Sequence, residues 1–162
     1  MKQNSMGKKA KIRVIALALI QDHDRIFLSV GHDAIAGRNF YRALGGGVDF
    51  GETSAAALER EFAEELNATL CNIQYLGCVE SLFTYEGKPG HEIIQLYRAD
   101  FTDPNFYQQS VIPFEENGVT KEARWVHLSE LQQDPDLLVP AQCWQYLEHI
   151  ELLSPMAAPG PE

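Results

Sequence analysis

Residues 45–68 read GGGVDFGETSAAALEREFAEELNA, a glycine turn running straight into a strongly acidic segment. The three glycines allow backbone angles that a Cβ forbids and let carbonyl groups come close to an ion. A helix is predicted to begin near Thr53 or Ser54, with Thr53 suited to the N-cap. Ala55, Leu58, Phe62 and Leu66 recur at helical spacing and give an apolar stripe. Glu59, Glu61, Glu64 and Glu65 crowd the same segment. Glu61, Glu64 and Glu65 stand at i, i+3 and i+4 and project from one face. That face is turned roughly 100° from the apolar stripe, so one side can pack on a sheet while the next borders a cleft. Like charges at this spacing destabilise an isolated helix, and no lysine lies between Gly45 and Asn67 to relieve them. A hard divalent cation, whose preferred ligands are carboxylate oxygens, would turn the repulsion into attraction.

Gly46, five residues, Glu52, seven residues and then Arg60-Glu61-Phe62-Ala63-Glu64-Glu65 resembles the signature of the Nudix hydrolases, G-x5-E-x7-R-E-U-x-E-E-x-G-U, with U a bulky apolar residue. Every fixed position through Glu65 matches; Asn67 stands in place of the last glycine and Ala68 in place of the last bulky residue. Asparagine is the next-best residue for a left-handed helix end, so the first change is mild. The second weakens a packing contact and touches no chemistry. One further departure precedes the signature, where Leu44 occupies a position that is proline in many members.

The resemblance implies an α/β fold, the Nudix α/β/α sandwich with a mixed β-sheet between helices. It also implies Mg²⁺- or Mn²⁺-dependent hydrolysis of a nucleoside diphosphate linked to another moiety. Carried over residue by residue, it makes Glu61 and Glu65 the principal metal ligands, Glu64 a third ligand directly or through water, and the Gly45 carbonyl a further one. Arg60 would orient the glutamates through charge-assisted bonds, and Glu52 would tie the loop to the helix. The general base is either a box glutamate or a carboxylate from a later loop, with Glu116 preferred, Glu115 beside it and Glu92 as a rival. For substrate contact the candidates are Arg38, Arg42, Tyr41 and Tyr85, with Phe40 and Phe83 nearby, because arginine forks onto phosphate and aromatic rings line clefts. His91 is expected at the surface, since Mg²⁺ does not favour imidazole. Two other readings share the fold. One is a nucleotide-sensing module without catalysis, which would tend to lose the box glutamates that this chain keeps. The other is a prenyl diphosphate isomerase, which would need a cysteine at the site, whereas Cys71 and Cys78 fall after the helix.

The chain has 162 residues and 45% hydrophobic content, which suits one domain with a packed core. Its net charge of −10 argues against nonspecific nucleic-acid binding and against an anionic membrane surface. An acidic protein binds an anionic phosphate when a metal inverts the local charge, so the expected partner is a small-molecule diphosphate. Family members are often dimers, which makes a homodimer an expectation. Three cysteines without a close pair read as reduced thiols in the cytoplasm. Residues 14–20 are apolar but too short to span a bilayer, and no cleavage site follows them.

The expected organisation is a flexible tail over 1–9, one domain over 10–153, and a Pro/Gly-rich flexible tail over 154–162. Within the domain, strands are predicted over 12–20, 25–30, 69–82, 91–101 and 124–128, with a short extended piece over 40–44. Residues 31–38 and 102–118 read as loops, Ser129 as a helix cap, and 136–153 as a helix opened by Pro140.

Overall fold

The segment 14–20 is apolar in both alternating sets of positions, and the strand built on it is covered on both faces. The computed structural model describes residues 9–147. The strands are β1 (Arg13–Leu19), β2 (Gln21–Asp22), β3 (Arg25–Asp33), β4 (Arg38–Arg42), β5 (Leu44–Gly47), β6 (Leu70–Tyr85), β7 (Lys88–Phe101), β8 (Val111–Glu116) and β9 (Val119–His127). The helices are α1 (Ser54–Leu66) and α2 (Leu128–Gln133), and the backbone is helical again at 143–147.

Four strands make a mixed sheet in the order β5-β1-β7-β6. Its centre is the parallel pair β1/β7, with Arg13 beside Glu92 and Leu19 beside Arg98; the flanking pairs are antiparallel. Side chains alternate across this sheet and sort into two cores. On one face Ala16, Ala18, Tyr97, Ala99 and Phe101 meet Leu58 and Phe62 of α1. On the other, Ile15, Leu17, Ile94 and Leu96 meet Leu128, Leu131, Cys143 and Leu147. The mixed sheet therefore lies between helices, as the α/β fold requires. A second, antiparallel sheet runs β2-β3-β9-β8, with β4 also paired to β3. Among the described residues no helix is long and apolar enough to cross a membrane.

Several boundaries differ from the sequence reading. The segment taken as a loop over 102–118 contains β8, whose Ile112 and Phe114 are buried while Val111 and Pro113 face outward. Proline hides this pattern, yet β8 ends the path of its sheet, where a missing N–H is tolerated. Likewise β3 runs on to Asp33 and β4 starts at Arg38, leaving only the turn between them as loop. Strand β6 reaches Tyr85, three residues past its expected end, because its whole second half pairs with β7. The kink allowed at Gly77 appears as a register shift between Tyr75 and Gly77. Ser129 is not a cap: His127 is the N-cap residue of α2 and makes no capping bond with its side chain. Of the predicted helix over 136–153, residues 135–137 form a 3-10 turn and helical backbone begins after Pro140, at 143. Its later part, the segments 1–8 and 154–162, and the end of the domain at 153 lie outside the described residues.

Candidate active site

Thr53 caps α1, its side chain accepting from the Ala56 amide at 3.2 Å, and Asn67 ends the helix in the left-handed conformation with φ 50°. With both ends defined, α1 lays Leu58 and Phe62 on the sheet, turns Glu61 toward β5 and Glu65 toward β8, and leaves Glu64 largely in solvent.

Glycine is required at two successive positions of β5, for different reasons. At Gly45 φ is +152°, and an added Cβ would overlap the Ala16 carbonyl oxygen and lie 2.9 Å from Leu17 Cα. At Gly46 an added Cβ would overlap the Glu61 carboxyl carbon and lie 2.6 Å from its Oε2. The Glu61 carboxylate thus occupies space that only a glycine leaves open.

Arg60 is the hub of the loop. It donates from Nε and Nη2 to the two oxygens of Glu52 at 3.2 and 2.7 Å, and from Nη2 to the Gly47 carbonyl at 2.9 Å. Its Nη1 donates to Glu61 Oε1 at 2.9 Å and to Glu64 Oε2 at 3.4 Å. Glu52 in turn accepts from the Asp49 amide at 2.9 Å. These bonds hold the Arg60 guanidinium well above its usual range and hold the Glu52 carboxyl below its own, Arg60 being the chief cause for Glu52.

Strand alternation settles which later carboxylate reaches α1. Ile112, Phe114 and Glu116 share the inner face of β8, while Glu115 points to solvent. Burial, then the charges of Glu116 and Glu61 and a hydrogen bond between the carboxyls of Glu61 and Glu65, push Glu65 up to about 8; Lys121 pulls the other way. Glu61, Glu65 and Glu116 therefore share one electrostatic neighbourhood. Lys121, on β9, pairs directly with Glu116. It is missing from the sequence reading, although the Asn117-Gly118 turn that sets β8 against β9 is a strong hairpin signal.

The residues expected to contact substrate have other hydrogen-bond partners. Arg38 donates to the Asp136 carbonyl at 2.9 Å and, with Asn39, Asp134 and Leu137, borders a hollow of about 430 Å³. Tyr41 packs on the core opposite α1 and donates to Glu130 at 3.0 Å. Tyr85 donates to the His32 carbonyl at 3.2 Å, and Arg42 bonds Glu92. None of these four is hydrogen-bonded to a glutamate of α1. His91 is partly exposed and bonds Glu80.

Among the described residues no three acidic, histidine or cysteine side chains already converge on one metal-sized point. The donor set nonetheless suits a hard dication: carboxylates from one helix turn, a third from β8, and a gap at Gly46 into which Glu61 fits. A cysteine at this site is excluded for the described residues. Cys143 is wholly buried on the other side of the sheet, where burial pushes its thiol up to about 12, and Cys71 and Cys78 lie on β6.

No curated protein matches the chain at a significant level. Among solved structures, a NUDIX hydrolase from Nitrosomonas europaea superposes with a TM-score of 0.61 at 16% identity, over 88% of this chain and 90% of that one. A MutT NUDIX hydrolase from Burkholderia pseudomallei gives 0.54 at 25% identity, over 74% of this chain and 85% of that one. A protein described as an ADP compounds hydrolase gives 0.57 at 18% identity, over 89% of this chain and 74% of that one. The family model described as the NUDIX domain matches residues 9–145. With this match spanning nearly all of the described residues and including the glutamate helix, the chain belongs to the Nudix family and is a hydrolase of phosphoric anhydride bonds.

Proposed function

We propose that the chain hydrolyses the diphosphate linkage of a nucleoside diphosphate joined to another moiety, with Mg²⁺ or Mn²⁺ as the cation. The observation that carries this reading is the gathering of Glu61, Glu65 and Glu116 beside a glycine that leaves room for the Glu61 carboxylate. Glu61, Glu65, Glu64 and the Gly45 carbonyl would hold the cation, which would neutralise phosphoryl oxygens and lower the pKa of bound water. Arg60 fixes one oxygen of Glu61 and leaves Oε2 turned to Gly46. Glu116 is the base we assign: its carboxylate lies on the inner face of β8 and would take the proton of the attacking water. Arg42, Arg38, Tyr41 and Tyr85 remain the candidate substrate contacts. Among the described residues Arg38 and Arg42 each spend one N–H group on a partner, and Arg42 stands three residues before Gly45.

The test is Mg²⁺-dependent phosphate release across nucleotides, nucleotide sugars and dinucleoside polyphosphates. Turnover of at least one is expected. Glu65→Gln should lower kcat by at least about 100-fold with the thermal midpoint retained, as for loss of a principal ligand to the cation. No turnover by folded protein on any of them, with either cation, would sink the reading. The cytoplasm is the proposed setting, because the three cysteines stand as free thiols. A homodimer is the proposed assembly, and light scattering on the intact chain reads it.

A further inference from the structure

Glu92, on β7, shares its face with Ile94 and Leu96 and so lies on the side of the mixed sheet away from α1. It is only 4% exposed. A carboxylate that deep needs partners, and two guanidinium groups supply them. Arg42 Nη2 donates to Oε2 at 2.7 Å, and Arg13 Nη1 stands 3.6 Å from Oε1. Arg13 comes from the adjacent strand, opposite Glu92 in register, and its side chain is largely in solvent. Arg42 comes from the other sheet, three residues before Gly45, and is partly exposed. Among the described residues Glu92 is the only acceptor for the Arg42 side chain, which leaves Nε and Nη1 free to donate.

Aromatic rings share the strand faces of both residues. Phe40, on the same side of β4 as Arg42, covers Gly31 and meets Tyr85 edge-on at 5.9 Å. Phe83, on the same face of its sheet as Glu92, covers Gly90. Among the described residues the Arg42 guanidinium is thus held at one end only, with aromatic rings on the same strand faces as Arg42 and Glu92.

We propose that Glu92 is a positioning residue. It fixes the Arg42 guanidinium between the two sheets so that its remaining N–H groups receive an anionic oxygen of the nucleoside diphosphate substrate. This rests on the hydrolase reading above and removes Glu92 from the candidates for the base, since both its oxygens are engaged on the face turned from α1. A carboxylate-held fork is pre-organised, so the substrate meets donors that need no reorientation.

The experiment is steady-state hydrolysis of whichever of ADP-ribose, dATP or diadenosine tetraphosphate the wild-type chain turns over fastest. It compares Glu92→Gln, Arg42→Gln and the double variant. Arg42→Gln should raise KM by about 10- to 100-fold, the range of a charge-assisted bond, and leave kcat within about threefold. Glu92→Gln should raise KM by about 10-fold in the wild-type background and by less than about twofold in Arg42→Gln, because it acts through that side chain. The acid limb of the pH–kcat profile should not move. An equal effect of Glu92→Gln in both backgrounds would leave it merely structural and overturn the proposal. So would a fall in kcat with KM unchanged. Should Glu92→Gln fail to fold, Arg42→Lys keeps the charge and loses the fork, and an unchanged KM there also overturns it. If none of the three probes is turned over, the fastest substrate of the wider panel above takes their place, and no turnover across that panel with either cation sinks the hydrolase reading and this one with it. That result differs from normal wild-type turnover with indifferent variants, which defeats this inference alone.

Discussion

Gly45 and Gly46 are neighbours, yet a methyl group on each would meet different obstacles. At Gly45 it would strike the Ala16 carbonyl, part of a buried strand that cannot yield. Gly45→Ala should therefore cost about 3 kcal/mol or more, at the upper end for overpacking, read as a drop in the denaturant midpoint. At Gly46 the obstacle is the far end of a flexible side chain, so Glu61 would swing aside and the fold would survive. Gly46→Ala should keep thermal stability within about 1 kcal/mol. It should weaken Mn²⁺ binding by about 10-fold or more, one displaced carboxylate ligand being worth at least that much. Electron paramagnetic resonance of free Mn²⁺ checks the second figure. The pair separates what holds the chain together from what would prepare it for the proposed ion.

At the scale of elements, the proposed site lies where α1 meets the β8–β9 hairpin. The hairpin carries a carboxylate in Glu116 and a counter-charge in Lys121, beside the helix's Glu65. Lys121→Met should tighten Mn²⁺ binding in the absence of substrate by about two- to tenfold, as expected when one positive charge leaves a partly solvated site. The melting temperature should hardly change, because exposed ion pairs contribute at most about 1 kcal/mol. A binding constant that stays put or weakens would show that Lys121 stands too far from the ion's position to matter. The helix is legible in the sequence because its cap, stripe and acidic face all follow from one local period. The hairpin is less so. Pro113 and the acidic pair mask the alternation of Ile112 and Phe114, and only pairing with β9 across the Asn117-Gly118 turn shows which of Glu115 and Glu116 turns inward. The same holds for Arg42 and Glu92, which sit in different sheets and fifty residues apart.

Across the whole molecule, protonation ties the site to stability. Glu65 sits at about 8 in the folded chain against an ordinary 4.5. Between those values the folded state keeps a proton that the unfolded state gives up, so this group's contribution falls as pH rises through the window. Glu52 and Asp33 work in the opposite sense. Both are lowered, by Arg60 for Glu52 and by the Ala36 and Glu86 amides for Asp33, so their contributions fade only on acidification below the usual carboxylate range. Thermal scans without divalent ions should therefore show declining stability from about pH 5 to pH 8, with the decline reduced in Glu65→Gln and reversed by millimolar Mg²⁺. A flat profile would mean that Glu65 is ionised throughout. The partition of the interior into two cores has a practical outcome as well. Trp125 belongs to the α1 side and Trp144 packs on the far side. Indole emission thus comes from two compartments, and a Trp144→Phe chain would glow from one of them alone. Ion uptake beside the helix and loosening of the opposite layer could then be watched as separate optical events.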